Sequence, residues 1–243
     1  MKLIEFKDVS LTYEKMEALK NISFSVIEGE LIAIIGPSGC GKTSILSLIS
    51  GIFTKTTGEI IKKDGLKTAY MLQKDSLLEW RSVFDNAKIG LEITKSLTKE
   101  NLSYIENLIE TYGLAEFKNK FPKELSGGMR QRAALIRTLA VKPEILLLDE
   151  AFSALDYQTR LAVTRDVVKI LKKEKKTAIM VTHDISEAVS MASRVIVFSK
   201  RPGQILRDMK LNFTEDDPLK RRDDPFFKQY FNEIWQEIEV RYE

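Results

Sequence analysis

Five apolar residues, Leu31-Ile32-Ala33-Ile34-Ile35, run without a break into Gly36-Pro37-Ser38-Gly39-Cys40-Gly41-Lys42-Thr43, and Ile45, Leu46, Leu48 and Ile49 then follow at helical spacing. A buried strand, a glycine-rich loop and a helix in that order leave little choice of fold, because such a loop turns back at the end of a strand inside an α/β sheet. The chemistry is equally constrained. Gly36, Gly39 and Gly41 let backbone N–H groups turn inward around phosphate oxygens, and Ser38 and Cys40 stand between them. Lys42 supplies a point charge for the β/γ end of a polyphosphate, Thr43 can place its hydroxyl on Mg2+, and the first helical turn adds the positive end of a dipole. The segment reads as a Walker A loop. Cys40 occupies a place that needs only a small side chain, so a bulky thiol reagent is expected to block the loop and a bound nucleotide to protect it.

Composition narrows the class further. A chain of 243 residues with 44% hydrophobic content can bury a large core as one α/β unit with a smaller subdomain attached. The formal net charge is only +3, and the basic clusters are short. Lys172, Lys173, Lys175 and Lys176 close a predicted helix, and Lys220-Arg221-Arg222 lies among acidic neighbours, so no nucleic-acid partner is expected. The longest apolar runs, such as 31–35 and 145–148, fall far short of the roughly 20 residues that span a bilayer. The start, Met1-Lys2-Leu3-Ile4-Glu5, meets charge at once, unlike a signal peptide. One cysteine forms no internal disulfide, which suits a reducing cytosol. Any membrane role is therefore expected to come through a partner.

Along the chain, residues 3–35 show short alternating apolar segments, as in an antiparallel β edge feeding the central strand. Residues 54–68 look like a turn and hairpin, and 69–72 resume a strand that stops at Gln73. From 77 to about 140 the pattern turns helical, with Leu102, Ile105, Leu108 and Ile109 in step, and this block is expected to be a helical subdomain. Strand and helix then alternate: 145–148, 157–173, 177–181, 185–192 and 195–198, which argues for a parallel sheet with helices on its faces. Residues 1–210 are expected to form the main domain and 211–243 a C-terminal extension. There the chain is polar from Pro202-Gly203 to Pro225, after which Phe227, Tyr230, Phe231, Ile234, Trp235 and Ile238 give one apolar stripe on a helix, expected to pack on its own domain.

Two further runs carry chemistry. Asp149 and Glu150 end the apolar strand 145–148, so both carboxylates are expected at its C-terminal edge beside the phosphate loop. There Asp149 would hold Mg2+ through water and Glu150 would orient the attacking water or accept its proton. Ser126, Gly127 and Gly128 open a helix, so a hydroxyl, free N–H groups and a helix dipole present a second cradle for an anion.

In sequence these are Leu125-Ser126-Gly127-Gly128-Met129-Arg130-Gln131-Arg132, then Ile145-Leu146-Leu147-Leu148-Asp149-Glu150, then Ser153-Ala154-Leu155-Asp156. With the phosphate loop they resemble the ATP-binding cassette ATPases that power ABC transporters, over residues from about 3 to about 205. The resemblance implies a P-loop cassette: a mostly parallel central sheet, an N-terminal antiparallel β subdomain and a helical subdomain. It implies that ATP is bound and hydrolysed with Mg2+, that Tyr13 stacks on adenine, and that Gln73 touches Mg2+ and the water while sensing the transporter. His183, the sole histidine, corresponds to the switch histidine that bonds the γ-phosphate. The second cradle comes from the opposite subunit in this family, so two chains sandwich two ATP molecules, and Asp156 resembles the residue that communicates across their interface.

After Gln73 the chain reads Lys74-Asp75-Ser76-Leu77-Leu78-Glu79-Trp80-Arg81-Ser82-Val83, with Asp85-Asn86 beyond it and Arg201-Pro202-Gly203-Gln204-Ile205 near the end. These segments are similar to the importer ATPases of the nitrate, sulfonate and taurine type, although Glu79 stands where that group carries proline, and Ala151 where many cassettes do. The type implies a peripheral subunit on the cytoplasmic face of the membrane. It would bind permease subunits through the loop around 77–80 and depend on an extracytoplasmic solute-binding protein. The alternatives are an exporter or division-associated cassette, or a soluble cassette ATPase without a membrane partner.

Overall fold

The computed structural model describes residues 1–153 and 155–239. Strands β1 (Lys2–Tyr13) and β2 (Met16–Ile27) pair antiparallel, and β3 (Leu31–Ile35) leaves them for a second sheet. Strand β4 (Thr57–Lys62) returns to the free edge of β1, giving a three-stranded sheet of order β2-β1-β4. The larger sheet adds β5 (Thr68–Met71), β6 (Ile145–Asp149), β7 (Thr177–Val181), β8 (Arg194–Phe198) and β9 (Ile205–Lys210), in the order β5-β6-β7-β3-β8-β9. All its pairings are parallel except the last, β8 with β9.

Strands β3, β6 and β7 are buried along their whole length, which is why each reads as an unbroken apolar run rather than an alternation. Successive side chains still point to opposite faces. Ile32, Ile34, Leu147, Ile179, Val181 and Ile196 enter one core, shared with Ile45, Leu46 and Ile49 of α1 (Lys42–Ser50) and with the three-stranded sheet. Ala33, Ile35, Leu146, Leu148, Met180 and Val197 enter the other. That second core is roofed by α2 (Val83–Ala87), α3 (Ile89–Ile93), α4 (Lys99–Thr111), α5 (Gly127–Ala140), α6 (Tyr157–Lys173) and α7 (Ile185–Met191). Helix starts follow the side chains able to cap them: Thr98, Ser126, Asp156 and Asp184 each accept from a backbone N–H three residues on.

Two expectations need correction. Residues 54–68 do not form a hairpin: β4 pairs with β1, with Ile60 opposite Phe6, while β5 joins the edge of the other sheet beside β6. The first 27 residues hold two 12-residue strands, which with β4 form a separate antiparallel sheet, as expected of an N-terminal β subdomain. The polar stretch after Gly203 contains an edge strand, β9, and a short helix, α8 (Pro218–Arg221). An edge strand is only partly covered, so Leu206 and Met209 toward the helical core and Ile205 toward the other are enough to hold it among charged neighbours. The terminal helix α9 (Pro225–Glu239) packs on α7 and β8, with Ile234 fully buried. Residues 240–243 and Ala154 lie outside the described residues.

The parallel order puts the C-terminal ends of β5, β6, β7, β3 and β8 along one rim, and Gln73, Glu150, His183, Gly36 and the 199–203 loop follow those ends.

Candidate active site

The phosphate loop closes on itself through Lys42. Lys42 is 5% exposed, and its ammonium donates to the carbonyls of Gly36 at 2.9 Å and Pro37 at 2.8 Å. Gly41 precedes α1 with φ +104°, and a Cβ there would stand 2.9 Å from the Ala18 carbonyl oxygen, so only glycine fits between the loop and β2. Cys40 is buried, with its sulfur turned toward Gly36, and burial pushes its thiol pKa up. The expected attack by a bulky thiol reagent thus finds neither an exposed sulfur nor a ready thiolate in this conformation.

The loop, Tyr13 and Glu150 line one cavity of about 270 Å3, which Ser38, Gly39, Lys42 and Thr43 share. The Tyr13 hydroxyl donates to Ser44 Oγ at 3.0 Å, and its ring meets Phe53 edge-on at 5.1 Å. Across the cavity the Thr43 hydroxyl donates to Asp149 Oδ1 at 3.0 Å, and the Tyr70 hydroxyl donates to Oδ2 at 2.9 Å. Burial raises the Asp149 pKa, against the opposing pull of those two hydroxyls. Tyr70 escaped the sequence reading, since nothing in a strand tyrosine signals that its ring will cross to the carboxylate of the neighbouring strand.

Glu150 is where two more of the predicted residues meet. Its Oε2 accepts from Gln73 Nε2 at 3.3 Å and stands 3.3 Å from His183 Nδ1. Three strand ends, those of β5, β6 and β7, thus deliver an amide, a carboxylate and an imidazole to one point beside the phosphate loop. A carboxylate so placed can accept a proton, with an amide and an imidazole beside it.

Ser126, Gly127 and Gly128 are not brought to this cavity. Ser126 caps α5 and is exposed together with Gly127, and Asp156 is exposed as the cap of α6. What does tie the site to α5 is a loop. Arg130 donates to Asp75 at 2.8 and 3.1 Å and to Glu79 at 2.8 Å, and Arg137 donates to the carbonyls of Asp75 and Ser76. Burial works to raise the Asp75 pKa, but the Arg130 guanidinium outweighs it and holds the carboxyl low. The segment just after Gln73 is thereby fastened to the helix that Ser126 opens.

Among the described residues no group of three or more His, Cys, Asp or Glu could hold a metal alone. A hydroxyl and one carboxylate beside a phosphate cavity are instead the oxygen donors of a hard cation that arrives with a polyphosphate, so Thr43 and Asp149 fit Mg2+. No helix among the described residues is long and apolar enough to cross a membrane.

Comparison with known proteins agrees with this geometry. The profile of the family described as ABC transporter matches residues 19–153. The uncharacterized ABC transporter ATP-binding protein YtlC of Bacillus subtilis is 41% identical, over 98% of this chain and 96% of its own length. The taurine import ATP-binding protein TauB of Yersinia pestis is 35% identical, over 94% and 95%. Among solved structures, the dimeric post-hydrolysis state of the ATP-binding cassette MJ0796 with ADP and Pi superposes with a TM-score of 0.74 at 30% identity, covering 87% of this chain and all of that one. Likeness over nearly the whole length, on top of a phosphate loop faced by a carboxylate-ended strand, leaves one assignment: the chain belongs to the ABC transporter family, as one of its ATP-hydrolysing cassettes.

Proposed function

We propose that this cassette is the ATPase subunit of an importer, that it works as a homodimer closed by two ATP molecules, and that closure drives a pair of membrane permease subunits. The observation that carries the reading is the division of the site. Tyr13, the phosphate loop and Glu150 face one cavity, and Gln73 and His183 reach it through Glu150, whereas Ser126 and Gly127 of the second cradle are exposed away from it, with Gly128 buried behind them. A second copy, turned to face the first, would supply that cradle to the open end of the triphosphate. The dimeric state of the similar cassette MJ0796 supports this arrangement.

In the reaction, Lys42 and the loop N–H groups would hold the β- and γ-phosphates, and Tyr13 would offer its ring to the base. Mg2+, held by Thr43 and Asp149, would supply charge neutralisation on the phosphate oxygens. Glu150 would take a proton from the attacking water, which Gln73 and His183 orient. Asp156, beside the incoming cradle, would carry the state of one site to the other. Trp80 is 74% exposed, and Glu79, before it in sequence, lines with Gln73, Asp75, Leu77 and Arg130 a groove of about 540 Å3. That exposed aromatic suits a docked permease helix, and Glu79, where related importers have proline, contributes the second carboxylate gripped by Arg130. The cargo would be of sulfonate, nitrate or taurine type, delivered by an extracytoplasmic solute-binding protein, a reading supported by the likeness to a taurine import cassette. The protein would then sit on the cytoplasmic face of the membrane through its permease.

The test is Glu150→Gln. With ATP and Mg2+ the variant should run as a dimer in light scattering while its kcat falls by more than about a hundredfold. A variant that stays monomeric with saturating ATP bound would remove the shared-site reading, and one that turns over like the parent would remove Glu150 from its role.

A further inference from the structure

Four of the five strand ends on the catalytic rim carry a named element of the site. The fifth, β8, is followed by Ser199 to Gly203, and it reaches the phosphate loop from the side opposite His183, because β3 lies between β7 and β8. The Arg201 guanidinium forks onto the phosphate loop: Nε and Nη2 both donate to the Gly39 carbonyl, at 3.0 and 2.7 Å, while Nη1 donates to Met16 Sδ at 2.7 Å. It lines the same cavity as Tyr13, Lys42 and Glu150.

We propose that Arg201 is a positioning residue for nucleotide binding, one that fixes the phosphate loop from outside and adds an unneutralised positive charge to the triphosphate cavity. The inference rests on the ATP-site reading above.

Three observations carry it. First, the partners of Arg201 are a backbone carbonyl and a thioether, and no carboxylate among the described residues pairs with it, so its charge is not spent inside the protein. In a cavity built for a polyanion, such a charge raises the local concentration of the ligand and strengthens its binding. Second, the peptide unit is planar and trans, so holding the Gly39 oxygen toward Arg201 orients the Cys40 N–H on the far side of the same plane. That N–H makes only a 3.4 Å contact with the Pro37 carbonyl, which leaves it free to turn to a phosphate. Third, the base of the fork is rigid. Gly203 N donates to the Ala18 carbonyl at 2.9 Å, and Lys20 N donates to the Gly203 carbonyl at 3.0 Å. A Cβ on Gly203 would lie 2.2 Å from the Cys40 carbonyl oxygen, so the turn packs directly on the phosphate loop and tolerates no side chain there. The turn thus bridges β2, which leads from Tyr13, to the loop that holds the phosphates.

Arg201→Ala should raise the KM for ATP, and the Kd of a fluorescent ATP analogue, by about tenfold, the worth of one charge-assisted contact, with kcat falling by much less. ATP and GTP should lose affinity equally, because the effect acts on phosphate rather than base. Arg201→Lys keeps the charge without the fork and should recover part of the loss. The melting temperature without nucleotide should stay at the parent value, since the side chain is exposed. Unchanged KM and Kd in Arg201→Ala would overturn the proposal, as would a loss seen with ATP and not with GTP. A parent chain that binds no ATP would instead defeat the ATP-site reading, which separates the two failures.

Discussion

Glu150 stands at φ +45°, in the left-handed region that costs a non-glycine residue about 1–3 kcal/mol, and its N–H is held there by the Val181 carbonyl at 2.9 Å. The twist comes immediately after Asp149, and it lets two consecutive carboxylates serve different partners, Thr43 and Tyr70 for one, Gln73 and His183 for the other. A second carboxylate nearby behaves differently. Glu187 is 6% exposed on α7 and its Oε1 has no hydrogen-bond partner, and burial raises its pKa, with the Asp184 charge adding to the effect against Thr182 and Arg160. The folded state therefore holds this proton more tightly than the unfolded chain. Its favourable contribution is full below the ordinary glutamate pKa and is lost as pH rises through the raised value. Glu187→Gln should melt above the parent at pH 8, with the gap closing as the pH falls; a gap independent of pH in thermal unfolding would contradict this. At this scale the sequence was most readable where spacing alone sets the chemistry, as for Lys42, Thr43 and Glu150. It was silent where a contact depends on which strands are neighbours, as for Tyr70 on Asp149 and Arg201 on Gly39.

Among the elements, α2 does more than its five residues suggest. Asn86 is fully buried, accepts from Leu78 N at 2.8 Å, and donates to the carbonyls of Leu78, Arg81 and Ser82 at 3.0–3.1 Å. One amide thus shapes the whole turn that displays Trp80. Asn86→Ala would strand those backbone groups at a cost of about 1–3 kcal/mol. In a Trp235→Phe background the change should also lower the fluorescence anisotropy of Trp80, while affinity for ATP stays with the phosphate loop. Unaltered anisotropy together with unaltered stability would show that the turn holds without Asn86. Helices α6, α7 and α9 and strands β3, β6 and β7 were legible, because fully buried parallel strands and amphipathic helices carry strong periodicity. Strand β4 was misjudged, because its exposed pattern gives no hint that its partner lies some fifty residues earlier rather than in the next segment.

For the molecule as a whole, the central sheet separates two cores. One joins it to the antiparallel sheet and α1, the other to the helices and, at the far end of the chain, to α9. Ile234 is completely buried in the second core, so Ile234→Ala should cost about 2–5 kcal/mol in chemical denaturation. A loss below about 1 kcal/mol would mean that α9 is a detachable appendage. The stripe of aromatic and aliphatic residues on α9 was visible beforehand, but where it lands could only come from the fold. Glu237 and Ile238 share a small crevice with Phe198, Ser199 and Pro37. The last described turn of the polypeptide and the start of the phosphate loop thus line a single cleft, so the tail helix and the loop share their packing there.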